Sequence, residues 1–149
     1  MLNERFIKEK INLIEQELVY LDKMSKYSME QIVSDFTLQA AFERFLERIV
    51  VRVIDINEHL IEELADSAMK LPKSYKETFF SLQTLNILPE ELVKRLLKAV
   101  NTRHALVHDY DDLQLNAIYS SVKDCLKDCH EYCDCILRFL KAEFREIKE

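Results

Sequence analysis

The chain contains no glycine, and this absence excludes several loops that bind phosphate or carry a catalytic group. A P-loop and a G-x-G-x-x-G turn both need backbone that approaches a phosphate closely, which glycine supplies. The G-x-S-x-G turn that carries a nucleophilic serine is excluded as well. Tight β-hairpin turns favour residues with positive φ, usually glycine, so a hairpin-rich β protein is disfavoured. With only two prolines in 149 residues, the composition favours an all-helical chain.

Long uncharged runs are also missing. The longest run, Thr78–Pro89, is far shorter than the roughly 20 residues of a transmembrane helix. The first ten residues are rich in charge and contain no apolar segment of the kind that signal peptides have. We therefore expect a cytoplasmic location, no membrane contact and four reduced cysteines.

The spacing of apolar residues predicts the architecture. Hydrophobic residues make up 48% of the chain and charged residues 32%, so a single globular domain spanning 1–149 is expected. Apolar residues recur at spacings of three and four, as in amphipathic helices, and this predicts an all-α, up-and-down bundle of four to five helices with two long ones. The helices are expected at about Asn3–Lys26, a short helix after Ser28, Leu38–Met69, Ser74–Leu85, Pro89–His108 and Leu113–Ile147.

Polar residues in the gaps between these helices predict where each helix begins or ends. A serine followed three residues later by Gln or Glu has the spacing of a capping box, in which each side chain bonds to the other residue's backbone amide. Asparagine tolerates the left-handed conformation that often ends a helix. The residues assigned in this way are Ser28 with Gln31, Asp35 or Thr37, Ser74 with Glu77, Asn86, and Asp111 or Asp112.

The charge is unevenly distributed. The net charge of −6 argues against broad electrostatic binding of nucleic acid. The segment Leu92–His108 is an exception, because it contains cations and no acidic residue. Lys94, Arg95 and Lys98 are therefore candidates for contacts with RNA phosphates, and a solvated helix face is the alternative.

The segment Arg103–Tyr110 holds a guanidinium, two imidazoles and a phenol within eight residues. Arginine binds phosphate through a bidentate fork, and histidine moves protons near neutral pH. A helix that ends near His108 would allow Arg103 and His108 to share one side, and the helix dipole would favour the protonated imidazole. Together they support cleavage of an RNA phosphodiester by its own 2′-hydroxyl without a metal ion. Arg and His near a helix end also serve simply to bond terminal carbonyl groups, and that alternative stays open.

The same segment resembles the R-x4-H-x-Y motif of HepT-type toxins in the HEPN superfamily, with Arg103, His108 and Tyr110 at its three positions. Other segments follow the pattern of that family in order and spacing, so the resemblance covers about residues 30–142. These segments are Asp55–His59, Leu71–Phe79 and Leu88–Leu92.

The resemblance implies a bundle of the HEPN type and a metal-independent endoribonuclease that acts as a homodimer without a cofactor. It implies that Arg103 stabilises the transition state, that His108 is the acid/base and that Tyr110 positions the substrate. It further implies a nucleotidyltransferase antitoxin that adenylylates Tyr110, which would add charge and bulk beside the site. Asn101 and His104 stand where the family usually has Gly and Asn, and His104 is a candidate auxiliary because its ring donates and accepts hydrogen bonds.

A second class of function is also consistent with the sequence. A helical protein without catalytic activity could serve as the binding partner or the substrate of a nucleotidyltransferase. The net charge of −6 and the altered neighbours of Arg103 favour this alternative, whereas the motif itself favours the ribonuclease.

Two further patterns admit more than one interpretation. Asp55 and His59 are four residues apart and share a helical face. They are either a structural polar pair or supports of the active site that line its cleft, as the family pattern suggests. Asp109, Asp111 and Asp112 are consistent with a cation site, although a solvated capping turn accounts for them as well.

Cys125, Cys129 and Cys133 recur every four residues in the last predicted helix. They are either a helical metal or redox site or small residues packed in the core. The lack of a C-x2-C pair and an apolar stripe that continues through Tyr132 favour the core, while Cys135 lies off that stripe. The tyrosines outside the motif are interpreted as packing residues: Tyr20, Tyr27, Tyr75, Tyr119 and Tyr132.

Overall fold

The computed structural model describes residues 1–107 and 122–147, except for the side chains of residues 29, 99–107 and 122. Within these ranges every regular element is an α-helix, which confirms the predicted all-α class. The described helices are α1 (Glu4–Met24), α2 (Met29–Ser34), α3 (Phe36–Leu64), α4 (Tyr75–Thr84), α5 (Glu90–Val107) and α6 (Val122–Glu146). None of these helices is long and apolar enough to cross a membrane.

The predicted helix starts are confirmed at α2 and α3. The Ser28 hydroxyl accepts a hydrogen bond from the Gln31 amide at 3.1 Å, and the Gln31 side chain accepts one from the Ser28 amide at 2.8 Å. Both halves of this capping box are therefore present. At α3 the cap is Asp35, whose carboxylate accepts from the amides of Thr37 and Leu38.

The segment around α4 also follows its predicted caps, with one difference. The Ser74 hydroxyl accepts from the Glu77 amide, but the Glu77 carboxylate accepts from the amide of Lys73 instead of Ser74. After α4, Asn86 adopts a φ of 59°, the left-handed conformation expected of it. The predicted turn from α4 into α5 is thus confirmed.

The predicted end of the long helix at Met69 is wrong, because α3 ends at Leu64. The Asp66 carboxylate accepts hydrogen bonds from the amides of Ala68 and Met69, at 2.9 and 3.1 Å. Such a local side-chain bond offers the backbone an alternative to the next helical turn.

Cross-helix contacts show that the four long helices form an up-and-down bundle. On α1 and α3, the Asn3 amide donates to His59 near one end, and Tyr20 stacks on Phe45 near the other, so these two helices are antiparallel. Helix α6 packs on both α1 and α5. Its first turn lies beside the end of α1 and His130 binds Glu15 further back, so α6 is antiparallel to α1 and parallel to α3. Helix α5 runs antiparallel to α6, since Arg95 binds Glu131 while the start of α5 lies beside the last turns of α6.

The core lies between the inward faces of these helices. On α1, the apolar residues at spacings of three and four are all buried, and so are most of those on α3. Those on α1 are Ile7, Ile11, Ile14, Leu18 and Leu21. Burial of such side chains contributes about 1.5–3 kcal/mol each. The largest fully buried side chains are Ile7, Ile14, Leu18, Leu21, Leu46, Ile49, Ile56, Leu60, Phe79, Leu82, Leu92 and Tyr132.

A buried polar network joins α6, α3 and α4 within this core. The Tyr132 hydroxyl donates to Asn57 Oδ1 at 2.7 Å and lies 3.2 Å from the carbonyl oxygen of Val53. The Asn57 amide group donates to the Thr78 hydroxyl at 3.2 Å. Burial raises the pKa of Tyr132 well above its usual range, so the phenol stays protonated and donates.

Replacing Tyr132 with phenylalanine is expected to lower the free energy of unfolding by about 1–3 kcal/mol, because Asn57 loses a buried hydrogen-bond partner. Chemical denaturation followed by circular dichroism measures the change. The control is Tyr75→Phe, since the Tyr75 side chain is half-exposed on α4. Equal stability of Tyr132→Phe and wild type would show that the network contributes nothing.

Candidate functional site

The candidate catalytic motif begins on α5. The backbone is helical from Glu90 through Val107, so Arg103 and His104 lie in the last turn and a half before residue 108. This agrees with the predicted helix up to His108. His108 and Tyr110 lie outside the described residues, as do the aspartates at 109, 111 and 112, the predicted helix start at Leu113, and Tyr119.

The level of Arg103 in the bundle follows from contacts nearer the middle. Tyr132 on α6 reaches Val53 and Asn57 on α3, while the adjacent Glu131 binds Arg95 on α5. These residues therefore lie at a common level. Residue 103 of α5 and residue 45 of the antiparallel α3 each lie about 12–15 Å from that level along the helix axis. Both lie toward the same end of the bundle.

The start of α6 lies at this same end of the bundle. A groove of about 330 Å³ separates it from the last turns of α1. The groove is lined by Leu18, Val19, Asp22, Ser25, Lys123, Leu126 and His130. The end of α5 and the start of α6 therefore both lie at the end of the bundle formed by the last turns of α1 and the first turns of α3.

Two cations of the basic segment on α5 are paired with carboxylates from outside that segment. Lys94 lies 3.5 Å from Glu90 and 3.7 Å from Glu91 in the first turn of the helix. Arg95 binds Glu131 and lies 3.5 Å from Asp128, both on α6. Burial raises the pKa of Asp128 although Arg95 opposes the shift. The pairs of Arg95 join α5 to α6, whereas those of Lys94 lie within α5. The contacts of Lys94, Arg95 and Lys98 with RNA stay a prediction.

Asp55 and His59 both contact α1. The Asp55 carboxylate binds the Lys10 amine at 2.8 Å, and His59 Nε2 accepts the Asn3 amide at 3.1 Å. The His59 ring also lies 5.1 Å from that of Phe6. At about 1.5 Å per residue, His59 lies roughly 20 Å along α3 from the level of Arg103. The contacts hold α1 against α3, and the predicted support of the active site is left as a prediction.

A buried ion cluster on the α1–α3 seam was not predicted from the sequence. The Glu17 carboxylate is buried and binds both Arg48 and Arg52 at 3.0 Å. No periodic signal in the sequence distinguishes this glutamate from its exposed neighbours. Two guanidinium groups from α3 therefore share one carboxylate from α1 on this seam.

The cysteine stripe of α6 belongs to the core. Cys125, Cys129 and Cys133 are buried, as the packing interpretation predicted, and Cys135 is partly exposed. A hydrogen bond with Cys125 together with burial raises the pKa of Cys129, and burial raises the pKa of Cys133. These thiols are protonated and unreactive near neutral pH. Among the described side chains, no three His, Cys, Asp or Glu residues are grouped to hold a metal ion.

We expect a thiol reagent to modify one of the four cysteines in the folded protein and all four in denaturant. The reactive one is Cys135, whose sulfur lies 3.9 Å from the Arg138 guanidinium. Titration with a chromogenic disulfide measures the count, and Cys135→Ser should remove the native-state reaction. Rapid modification of Cys129 or Cys133 in the folded protein would contradict their placement in the core.

Comparisons with known proteins agree with one another. The sequence model described as "Ribonuclease HepT-like" matches residues 7–136. The chain is 33% identical over 123 residues to the tRNA nuclease HepT of Aphanizomenon flos-aquae, covering 81% of this chain and 80% of that protein. It is 31% identical over 106 residues to the mRNA nuclease HepT of Shewanella oneidensis, covering 71% and 77%.

The fold is similar to that of a solved toxin. The tri-AMPylated HEPN toxin of Shewanella oneidensis, solved in complex with its MNT antitoxin, superposes with a TM-score of 0.78 at 27% identity. The superposition covers 91% of this chain and 99% of that one.

Proposed function

The chain belongs to the HepT-like ribonuclease family, and we propose that it is a cytoplasmic, metal-independent endoribonuclease toxin of a toxin–antitoxin pair. The observation that carries the proposal is the position of Arg103 on α5. The helix is regular through Val107, so the arginine lies just before the histidine of the motif at one end of the bundle. Two relatives named as RNA nucleases support RNA as the substrate.

The chemistry assigns one role to each motif residue. The Arg103 guanidinium binds the non-bridging oxygens of the scissile phosphate and stabilises the charge of the transition state. His108 takes the proton of the 2′-hydroxyl, whose oxygen then attacks phosphorus. The bond from phosphorus to the 5′-oxygen breaks, and a protonated imidazole gives that oxygen its proton. The products are a 2′,3′-cyclic phosphate and a 5′-hydroxyl. Tyr110 and His104 position the RNA, and no covalent bond of either side chain forms or breaks.

A homodimer supplies a second copy of the motif, and with it a second His108, for this sequence of proton transfers. One chain carries one Arg103 and one His108, whereas two chains that share a cleft provide both a base and an acid. Light scattering at micromolar concentration should therefore give twice the mass of the chain. A monomer that cleaves RNA at full rate would contradict the shared cleft.

We assign the neutralisation of the toxin to Tyr110. A nucleotidyltransferase antitoxin would transfer a nucleoside monophosphate to its phenol oxygen, which places a phosphodiester beside Arg103. The complex of the Shewanella oneidensis HEPN toxin with its MNT antitoxin supports this partner. The added negative charge competes with RNA for the guanidinium.

The proposal is tested with the purified chain alone. Incubation with RNA in EDTA is expected to yield discrete fragments, because no step uses a metal ion. A chain that leaves RNA intact but is still modified by the nucleotidyltransferase would be a non-catalytic partner, and the ribonuclease proposal would be wrong.

A further inference from the structure

The seam between α1 and α3 carries an exposed aromatic pair. Tyr20 was predicted to be a packing residue, yet 51% of it is exposed. Its ring stacks on that of Phe45, with centroids 5.5 Å apart and planes inclined by 11°. Phe45 packs partly against the core and fixes the orientation of the outer ring. The pair is therefore a flat aromatic surface held in place from behind.

Cations flank this aromatic pair. The Lys23 amine lies 5.6 Å from the centroid of the Tyr20 ring, one helical turn further along α1. On the α3 side, Arg48 is partly exposed and shares the Glu17 carboxylate with Arg52. Lys23 and Arg48 are thus two exposed cations close to Tyr20, in a chain whose net charge is −6.

The aromatic pair and Arg103 lie at one level of the bundle. Phe45 on α3 and Arg103 on α5 are both about 12–15 Å from the level marked by Tyr132, toward the same end. Helix α3 packs against both α1 and α5. The axes of packed helices are about 8–10 Å apart, so two such distances separate α1, which carries Tyr20, from α5. A short single strand of RNA can span this separation.

We propose that Tyr20 is a stacking platform for one base of the single-stranded RNA substrate, with Lys23 and Arg48 binding the adjacent phosphates. The proposal rests on the proposed function in taking RNA as the substrate. A flat ring beside exposed cations suits a base joined to a phosphate, and such stacking tolerates any base. The platform holds the strand at a distance from the scissile phosphate, so it affects binding more than the chemical step.

The test measures binding of a 2′-O-methyl RNA oligonucleotide, which lacks the attacking hydroxyl and stays intact. Fluorescence anisotropy with the full chain is expected to show about 5- to 100-fold weaker binding for Tyr20→Ala and wild-type affinity for Tyr20→Phe. Lys23→Gln should reduce the salt dependence of the affinity by about one phosphate contact. The matched control is Tyr75→Ala, which removes another half-exposed tyrosine.

The outcomes separate this proposal from the ribonuclease proposal. If the wild type cleaves ordinary RNA and Tyr20→Ala binds the 2′-O-methyl strand as the wild type does, the platform is wrong and the ribonuclease stands. If the wild type binds through Tyr20 but cleaves nothing, the ribonuclease is wrong and the platform stands. If light scattering shows that Tyr20→Ala separates a wild-type dimer into monomers, the surface is a protein interface and the RNA platform is overturned.

Discussion

Replacing His108 with alanine is expected to slow RNA cleavage by about 10²–10⁴-fold, because the reaction loses the group that moves its proton. Replacing Arg103 with alanine should slow it by about 10²–10³-fold, the usual effect of removing one donor that stabilises transition-state charge. Arg103→Lys should restore little of the rate, since an ammonium group cannot form the bidentate fork. Initial rates on a fluorogenic RNA oligonucleotide in EDTA measure all three effects.

Matched controls separate these effects from general damage to the fold. His130→Ala removes an exposed imidazole on α6 that pairs with Glu15 at 3.0 Å. Arg5→Ala removes an exposed guanidinium that pairs with Glu9 one turn away on α1. Both variants should cleave at close to the wild-type rate. A loss of activity in the controls as large as in His108→Ala would remove the assignment of the motif.

Adenylylation of Tyr110 is expected to abolish cleavage, by at least about 100-fold, because it places a phosphodiester where Arg103 would bind the substrate. The chain incubated with its nucleotidyltransferase and ATP should gain nucleotide mass on a peptide that contains Tyr110. Intact-mass spectrometry and the cleavage assay, applied to the same sample, test whether modification and inhibition occur together.

Tyr110→Phe is the control for this prediction. It has no phenol oxygen, so it should gain no nucleotide at this position, and the same treatment should leave its own rate unchanged. Inhibition of Tyr110→Phe by the nucleotidyltransferase and ATP would show that neutralisation acts through another residue or through binding alone.

Local signals in the sequence predicted most of the fold. Ser28 with Gln31, Asp35 and Asn86 act on backbone within a few residues, so their roles could be read from spacing alone. The end of α3 was predicted too late for a similar reason. The apolar spacing continues past Leu64, whereas the Asp66 carboxylate binds two amides and forms a turn.

Contacts between distant parts of the chain could not be predicted. The segment around Arg95 is free of acidic residues, yet Asp128 and Glu131 on α6 supply its counter-charges. The seam with Glu17 depends in the same way on arginines from another helix. A catalytic arginine and a capping arginine can stand at the same position near a helix end, so spacing alone does not distinguish them. The residue types of the motif and its family resemblance indicate the catalytic role.

The chemical identity of the RNA ends tests the central claim most directly. Wild-type chain in EDTA should leave a 2′,3′-cyclic phosphate on one fragment and a 5′-hydroxyl on the next, as attack by the 2′-hydroxyl requires. Mass spectrometry of the fragments distinguishes these ends from the alternatives. Fragments that carry a 3′-hydroxyl and a 5′-phosphate, formed only when a divalent metal is present, would contradict metal-free cleavage by Arg103 and His108.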